Sequence, residues 1–279
     1  MRRTLLLPPD LSERARAYAR GEQRPVRPRD AATVVLLRAA PAGPAGGVEA
    51  YLLRRHRQMS FAAGMYAFPG GGVDPRDADT TIRWCGPAPR DWAERLSCDE
   101  SLARALVCAA VRETFEESGV LLAGTTPDTV VPDTSGDDWE QDRRSLVAKE
   151  LGFADFLVRR DLMLRSDLLA AWSHWITPEF EPRRFDTRFF VAVLPSGQHT
   201  RDVSGEADRV AWLRPADVVS GADAGELAML PPTYVTMQEM SALQDPAAAL
   251  TVAESRTITP VEPAATIDGD RAYLTVELG

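Results

Sequence analysis

The sequence predicts an α/β fold on three observations. Residues 33–38 (TVVLLR) and 48–55 (VEAYLLRR) are rich in β-branched and aliphatic residues, and the Pro, Ala and Gly turn between them favours a hairpin. A long helix is predicted at about 99–118, where apolar residues recur at helical spacing. The strongest strand signal lies at 184–194, so predicted strands and helices alternate along the chain.

The segments before the long helix have distinct signals of their own. A short amphipathic helix is predicted at 11–20, followed by a connector rich in Pro and Arg. Residues 74–99 are charged and contain Pro and Gly, which predicts a loop with a short helix. Ser97 is predicted as the N-cap of the long helix, with Glu100 completing a capping box. Gly119 is predicted to end that helix as a left-handed cap.

The C-terminal half is predicted to be largely helical around the strand at 184–194. Two helices are predicted at 139–158 and 161–172, and another at 230–243. The tail alternates between apolar and polar residues at 255–260 and 272–278, with a turn between these runs. We therefore expect the tail to form a β-hairpin, and this hairpin is a candidate subunit contact in a homodimer.

Three carboxylates share one face of the long helix. Glu113, Glu116 and Glu117 fall within an arc of about 100°, opposite a stripe formed by Val107, Val111 and Phe115. Like charges at this spacing repel one another. Two interpretations follow: a bound divalent cation offsets the repulsion, or the face is a solvated acidic surface. Mg²⁺ prefers oxygen ligands and suits the first interpretation.

The context of these carboxylates favours the cation. Residues 112–120 (RETFEESGV) resemble the second half of the Nudix box, and residues 68–72 (FPGGG) resemble the loop that precedes it in that family. The resemblance implies an α/β/α sandwich around a mixed sheet and a metal-dependent hydrolase of nucleoside diphosphates linked to another group. It also implies Mg²⁺ or Mn²⁺ as the cofactor. The implied metal ligands are Gly71, Glu113, Glu116 and Glu117.

The sequence departs from the compact motif in ways that point to one branch of the family. Thr114 occupies a position where the motif has an apolar residue, and Arg104 occupies the position of its first Glu. A long insert separates Gly72 from the helix, as in the branch that includes coenzyme A diphosphatases. That branch is similar in two further stretches, GMYAFPGGGVD at 64–74 and WITP…RFDTRFF at 175–190.

The resemblance also implies roles for residues at the site. Arg112 is expected to orient the carboxylates by ion pairing, and the general base is Glu206 or one of the box glutamates, Glu116 among them. The predicted substrate-binding residues are Arg54, Arg55, Arg57 and Tyr66. Arginine forks match phosphate oxygens, although a basic run can also be a solvated edge. His56 and Ser60 stand where the coenzyme A-cleaving branch has Ser and a second Arg.

These observations predict three parts of the chain. Residues 1–29 form an N-terminal helix and connector, and residues 30–245 form the Nudix hydrolase domain, with inserts at about 75–99 and 124–172. Residues 246–279 form the C-terminal hairpin tail. In the first insert, Trp84 and Trp92 are expected to form a wall beside the substrate.

Charge and composition exclude several partners. The net charge of −9, from 32 basic and 41 acidic residues, argues against nucleic-acid polymers. No apolar run is long enough to span a membrane, so we expect a cytoplasmic protein without a membrane partner. The three cysteines do not form a disulfide framework, although a pair between Cys85 and Cys98 stays open.

The function predicted from the sequence is hydrolysis of a diphosphate bond in a small-molecule nucleotide. Coenzyme A or an acyl-coenzyme A is the first choice of substrate, and ADP-ribose or NADH is the alternative. A non-catalytic Nudix-fold nucleotide-binding protein is a second alternative, but the acidic face is complete here. An isoprenoid-diphosphate isomerase would need its own Cys and Glu motifs, which we do not find.

Overall fold

The computed structural model describes residues 2–41, 47–56, 62–202, 205, 207–269 and 271–277. The helices in this part of the chain are α1 (Pro9–Ala19), α2 (Pro89–Leu96), α3 (Glu100–Ser118), α4 (Asp137–Val147), α5 (Phe153–Arg159), α6 (Pro215–Asp223), α7 (Pro231–Met240) and α8 (Pro246–Ser255). The strands are β1 (Arg2–Leu6), β2 (Arg29–Ala39), β3 (Val48–Arg55), β4 (Tyr66–Ala67), β5 (Gly70–Gly72), β6 (Trp84–Cys85), β7 (Ala123–Gly124), β8 (Met163–Arg165), β9 (Ala170–Ile176), β10 (Phe185–Val193), β11 (Ala207–Leu213), β12 (Pro260–Val261), β13 (Ala264–Asp268) and β14 (Arg271–Glu277).

A mixed sheet forms the centre of the molecule. Its spatial order is β11, β3, β2, β10, β9 and β12. Strands β2 and β10 run parallel, whereas β2 and β3 pair antiparallel, as the predicted hairpin requires. The short strands β4 and β5 pair with β3 and β2, so the glycine-rich loop is held at the sheet by backbone hydrogen bonds.

Helices cover both faces of this sheet. Because side chains alternate along a strand, Val34 and Leu36 of β2 pack on the face of α3, and Val35 and Leu37 pack on the face of α7 and α8. The apolar stripe of α3 is fully buried against the first face. This arrangement confirms the predicted α/β/α sandwich around a mixed sheet.

The two inserts are joined to each other. Strand β6 of the first insert runs parallel to β8 of the second, with Trp84 opposite Leu164, and β7 completes a three-stranded sheet. The predicted short helix of the first insert is α2. The two segments, which were predicted as separate inserts, therefore form one unit beside α3.

Two of the predicted helix boundaries are wrong, and one is confirmed. Ser97 is in the left-handed region (φ 53°) and ends α2, and the N-cap of α3 is Asp99, whose carboxylate accepts the Leu102 N–H at 2.9 Å. Gly119 is the predicted left-handed cap (φ 75°). The predicted helix at 139–158 is divided into α4 and α5 by a break that includes Lys149 (φ 60°).

The helix predicted at 161–172 is wrong. This segment contains β8 and the first residues of β9, which pair with β7 and β10 respectively. Its apolar spacing fits a helix, but pairing with distant strands overrides that local preference.

The tail contains more than the predicted hairpin. Strands β13 and β14 form a hairpin, but its first arm is 264–268 and not 255–260. Helix α8 was missed; it begins after Asp245, whose carboxylate accepts the Ala247 N–H at 3.1 Å, and it buries Ala249 and Ala253. Strand β12 extends the central sheet, and β14 pairs with β1 to form a separate small sheet.

No helix in the part of the chain that the structure describes is long and apolar enough to cross a membrane. Cys85, Cys98 and Cys108 are free thiols.

Candidate active site

The glycine-rich loop and the acidic face of α3 are in direct contact. The Gly70 N–H donates to Glu117 Oε2 at 2.8 Å. At Gly71 a Cβ atom would lie 2.4 Å from Glu113 Oε1, so a side chain there would displace the Glu113 carboxylate. The strand pairing of β5 and the packing of α3 thus bring the predicted ligands Gly71, Glu113 and Glu117 together.

Arg112 links the carboxylates to one another and to the loop. Its Nη1 donates to Glu113 Oε1 at 2.7 Å and to Glu116 Oε1 at 3.1 Å, and its Nη2 donates to the Gly72 carbonyl at 3.0 Å. Burial disfavours its charge, but the ion pairs with Asp77 and Glu113 raise the pKa of Arg112 above its usual value. Arg112 therefore stays charged, in the position that the predicted orienting role requires.

Asp77 is a further residue of the candidate site, and the sequence motifs do not predict it. It lies in a single 3₁₀ turn, Pro75–Ala78, and is 1% exposed. Its Oδ1 accepts from Arg112 Nε at 3.0 Å, and its Oδ2 accepts from Arg112 Nη2 at 2.9 Å. The signal available in the sequence was Asp74-Pro-Arg-Asp77, in which the two acids form a capping box.

Burial makes the carboxylates at this site costly to ionise. It raises the pKa of Glu113 to about 7, although Arg112 opposes the shift, and it raises the pKa of Glu116 in the same way. A divalent cation would favour the ionised forms, and a set of carboxylate and carbonyl oxygens suits Mg²⁺ or Mn²⁺. Among the described residues, no three Asp, Glu, His or Cys side chains are already arranged around one metal position. Glu113 and Glu116 are instead engaged by Arg112, and Glu117 by Gly70.

The second insert reaches the end of the same helix. Arg143 of α4 donates from Nη1 to the main-chain carbonyl of Glu116 at 2.6 Å. Both carboxylate oxygens of Glu140 accept from Arg143, at 2.8 and 2.9 Å, and this pairing lowers the pKa of Glu140 to about 2. Arg201 also donates to Glu140, at 3.2 Å.

Of the predicted substrate-binding residues, Arg54 and Arg55 lie on β3, and Tyr66 lies on β4. Arg54 pairs with Asp208 at 2.6 Å, and Arg55 ends β3. Tyr66 is 6% exposed and packs in the second core cluster with Phe68. Arg57, Ser60 and Glu206 lie outside the described residues, so their predicted roles stay predictions.

The expected tryptophan wall is wrong in part. Trp92 is 5% exposed and packs edge-on against Phe190, in the core under the sheet. Trp84 is only half-buried, and Arg104 lies over its ring at 5.4 Å. Arg104, at the motif's first Glu position, thus packs on the insert.

This fold, with the glycine-rich loop set against the acidic helix, defines a protein of the Nudix superfamily. The family described as NUDT19 Nudix domain matches residues 89–240, just over half of the chain, and the chain belongs to that family.

Three comparisons show the degree of similarity. A Caenorhabditis elegans protein, provisionally named nudix hydrolase 7, is 27% identical over 199 residues, 70% of this chain and 56% of that protein. The Xenopus laevis acyl-coenzyme A diphosphatase NUDT19 is 23% identical over 229 residues, 69% of this chain and 59% of that protein. The chain thus spans less than two thirds of the length of these relatives. The crystal structure of a Nudix hydrolase from Alicyclobacillus acidocaldarius is 28% identical, with a TM-score of 0.62 over 81% of this chain and 96% of that one.

Proposed function

We propose that the chain hydrolyses the diphosphate bond of coenzyme A or an acyl-coenzyme A, with Mg²⁺ or Mn²⁺. The observation that carries this proposal is the contact between the glycine-rich loop and the acidic face of α3, in a member of the NUDT19 family. The proposed ligands are the Gly71 carbonyl, Glu113, Glu116 and Glu117. When bound, the metal ion would offset the negative charge of the diphosphate and lower the pKa of a bound water.

The residues of the chain would prepare the site for this chemistry. Arg112 keeps Glu113 and Glu116 side by side through its Nη1, and the Gly70 N–H fixes the orientation of Glu117. The missing side chain at Gly71 lets the loop approach Glu113. Either Glu206 or a box glutamate such as Glu116 would accept the proton from water. Glu206→Gln should lower kcat without changing the melting temperature if Glu206 is that base.

The substrate assignment has support from the relatives and from one arginine cluster. Relatives in Xenopus laevis and human are named acyl-coenzyme A diphosphatases. Arg54, Arg55 and Arg57 precede the glycine-rich loop and could meet the 3′-phosphate that distinguishes coenzyme A from ADP-ribose. Arg54 already pairs with Asp208, so an incoming phosphate would have to compete with that carboxylate.

The test is a turnover assay with coenzyme A, an acyl-coenzyme A, 3′-dephospho-coenzyme A, ADP-ribose and NADH, with and without a chelator. We expect 3′,5′-ADP and 4′-phosphopantetheine from coenzyme A, and no turnover when the metal is removed. Equal cleavage of the dephospho form would show that the arginines do not recognise the 3′-phosphate. Cleavage of only ADP-ribose or NADH would overturn the substrate, and binding without any turnover would favour a non-catalytic protein. The cytoplasmic location and the homodimer stay predictions.

A further inference from the structure

The first insert contributes a buried carboxylate to the candidate active site. Asp77 follows β5 by only a few residues, and its turn is closed by the Asp74 N–H, which donates to Asp77 Oδ2 at 2.8 Å. On the other side, Arg112 of α3 donates to both oxygens of this carboxylate. Asp77 is therefore held in place from the turn on one side and from the helix on the other.

The contact with Arg112 controls how much of that guanidinium faces the glutamates. The Asp77 carboxylate accepts hydrogen bonds from Nε and Nη2 of Arg112, and the Gly72 carbonyl also accepts from Nη2. Only Nη1 is directed at Glu113 and Glu116. Two parallel hydrogen bonds between arginine and a carboxylate fix the plane of the guanidinium as well as its position.

Without Asp77, Arg112 would be free to turn more of its donors toward the glutamates. A guanidinium that pairs with a glutamate through two nitrogens would compete with a cation for the same oxygens. The buried charge of Arg112 would also lose a partner that offsets its burial. Both effects would weaken the binding of a cation at Glu113 and Glu116.

We propose that Asp77 is a positioning residue, which holds Arg112 so that Glu113 and Glu116 stay available to a divalent cation. The proposal rests on the metal site of the proposed function, but not on the identity of the substrate. Position 104, where the compact motif has its first Glu, holds an arginine directed at Trp84. The first insert therefore supplies a carboxylate near Arg112, that of Asp77, whereas position 104 of α3 supplies none.

The test measures Mn²⁺ binding to the full chain without substrate, for example by the loss of the free Mn²⁺ signal in electron paramagnetic resonance. We expect Asp77→Asn to lower the Mn²⁺ affinity by about 10- to 100-fold, the range seen when a residue that orients a metal ligand is lost. In the turnover assay, kcat should fall while KM for the nucleotide stays within about threefold. Asp74→Asn is the matched control, because Asp74 lies in the same turn but pairs with Arg76. It should leave the Mn²⁺ affinity unchanged.

A second pair of variants shows whether Asp77 acts through Arg112, and it also answers the case in which Asp77→Asn fails to fold. Arg112→Gln and the double variant Arg112→Gln/Asp77→Asn both lack the arginine charge, and the double variant leaves neither member of this pair buried without its partner. Equal Mn²⁺ affinities for these two variants are expected.

Three results would overturn the proposal. The first is an unchanged affinity in Asp77→Asn, and the second is a lower affinity in the double variant than in Arg112→Gln. The third, no Mn²⁺ binding by the unmodified chain, would remove the proposed metal site as well. Normal Mn²⁺ results together with no cleavage of coenzyme A would reject only the substrate.

Discussion

The two inserts hold the same helix in different ways. The first insert binds a side chain, since Asp77 pairs with Arg112. The second insert binds the main chain, since Arg143 donates to the carbonyl of Glu116 in the last turn of α3. The first contact affects how charge is distributed among the carboxylates, whereas the second satisfies a helix-end carbonyl and places a cation near the negative end of the helix dipole. An insert can thus support a site either by pairing with a charged side chain of the site or by binding the backbone of the helix that carries the site.

The largest effect is expected in the helix that both inserts hold. Glu117→Gln keeps the shape of the side chain but removes the charge of a proposed metal ligand, so we expect kcat to fall by about 10²-fold or more. Steady-state kinetics at saturating Mg²⁺ measure this effect. Glu100→Gln, in the exposed first turn of the same helix, is the control and should behave as the unmodified chain does. A loss below about threefold in Glu117→Gln would mean that the ligand assignment is wrong.

The second prediction tests whether the second insert acts only on stability. Arg143→Met breaks a buried ion pair and leaves the Glu116 carbonyl without this donor, so the free energy of unfolding should fall by about 3 kcal/mol. Urea denaturation measures the change. Arg144→Met is the matched control, because Arg144 pairs with the same Glu140 but is 74% exposed, and its loss should cost less than about 1 kcal/mol.

Measurements of Mn²⁺ affinity then distinguish the roles proposed for the two inserts. In Arg143→Met it should stay close to that of the unmodified chain, in contrast with Asp77→Asn. If both variants lose affinity equally, the proposed difference between the inserts is wrong.

The smallest effect concerns Glu140 and depends on pH. Arg143 lowers the pKa of Glu140 from 4.5 to about 2, so this carboxylate stabilises the fold fully above about pH 4.5. The contribution is lost as the pH falls through about 2. After allowance for partial exposure, Glu140→Gln should cost about 2 kcal/mol at pH 7. From pH 7 to pH 3, the difference in the free energy of unfolding between Glu140→Gln and the unmodified chain should become smaller. A difference that stays constant with pH would contradict the proposed contribution of the Glu140 carboxylate.

Local patterns were enough to predict the shared helix face at the centre of the candidate site. The three glutamates on α3 follow from helical periodicity, and the strand at 48–55 was predicted with its observed limits because its apolar residues form a continuous run. The cap at Gly119 follows from the need for a left-handed residue at a helix end. Each of these features depends on residues that are close together in the sequence.

The features that were missed depend on distant partners. The capping box predicts only the turn around Asp77; the place of Asp77 in the candidate site depends on its contact with Arg112, 35 positions further along the chain. Strand β8 is three residues long, and its partners come from the segments around Trp84 and Ala123. Burial of Tyr66 and Trp92 likewise depends on which elements pack over them, which a single sequence does not specify.

The pairing of β1 with β14 determines an order of assembly. Leu5 stands opposite Leu274, so most of the chain separates two residues of one ladder. During synthesis β1 emerges long before its partner β14, whereas the strands of the central sheet all come from residues 29–261. Closing such a long loop carries a large entropic cost before any contact forms. Among the described elements, the small sheet is therefore the last that can form as the chain leaves the ribosome.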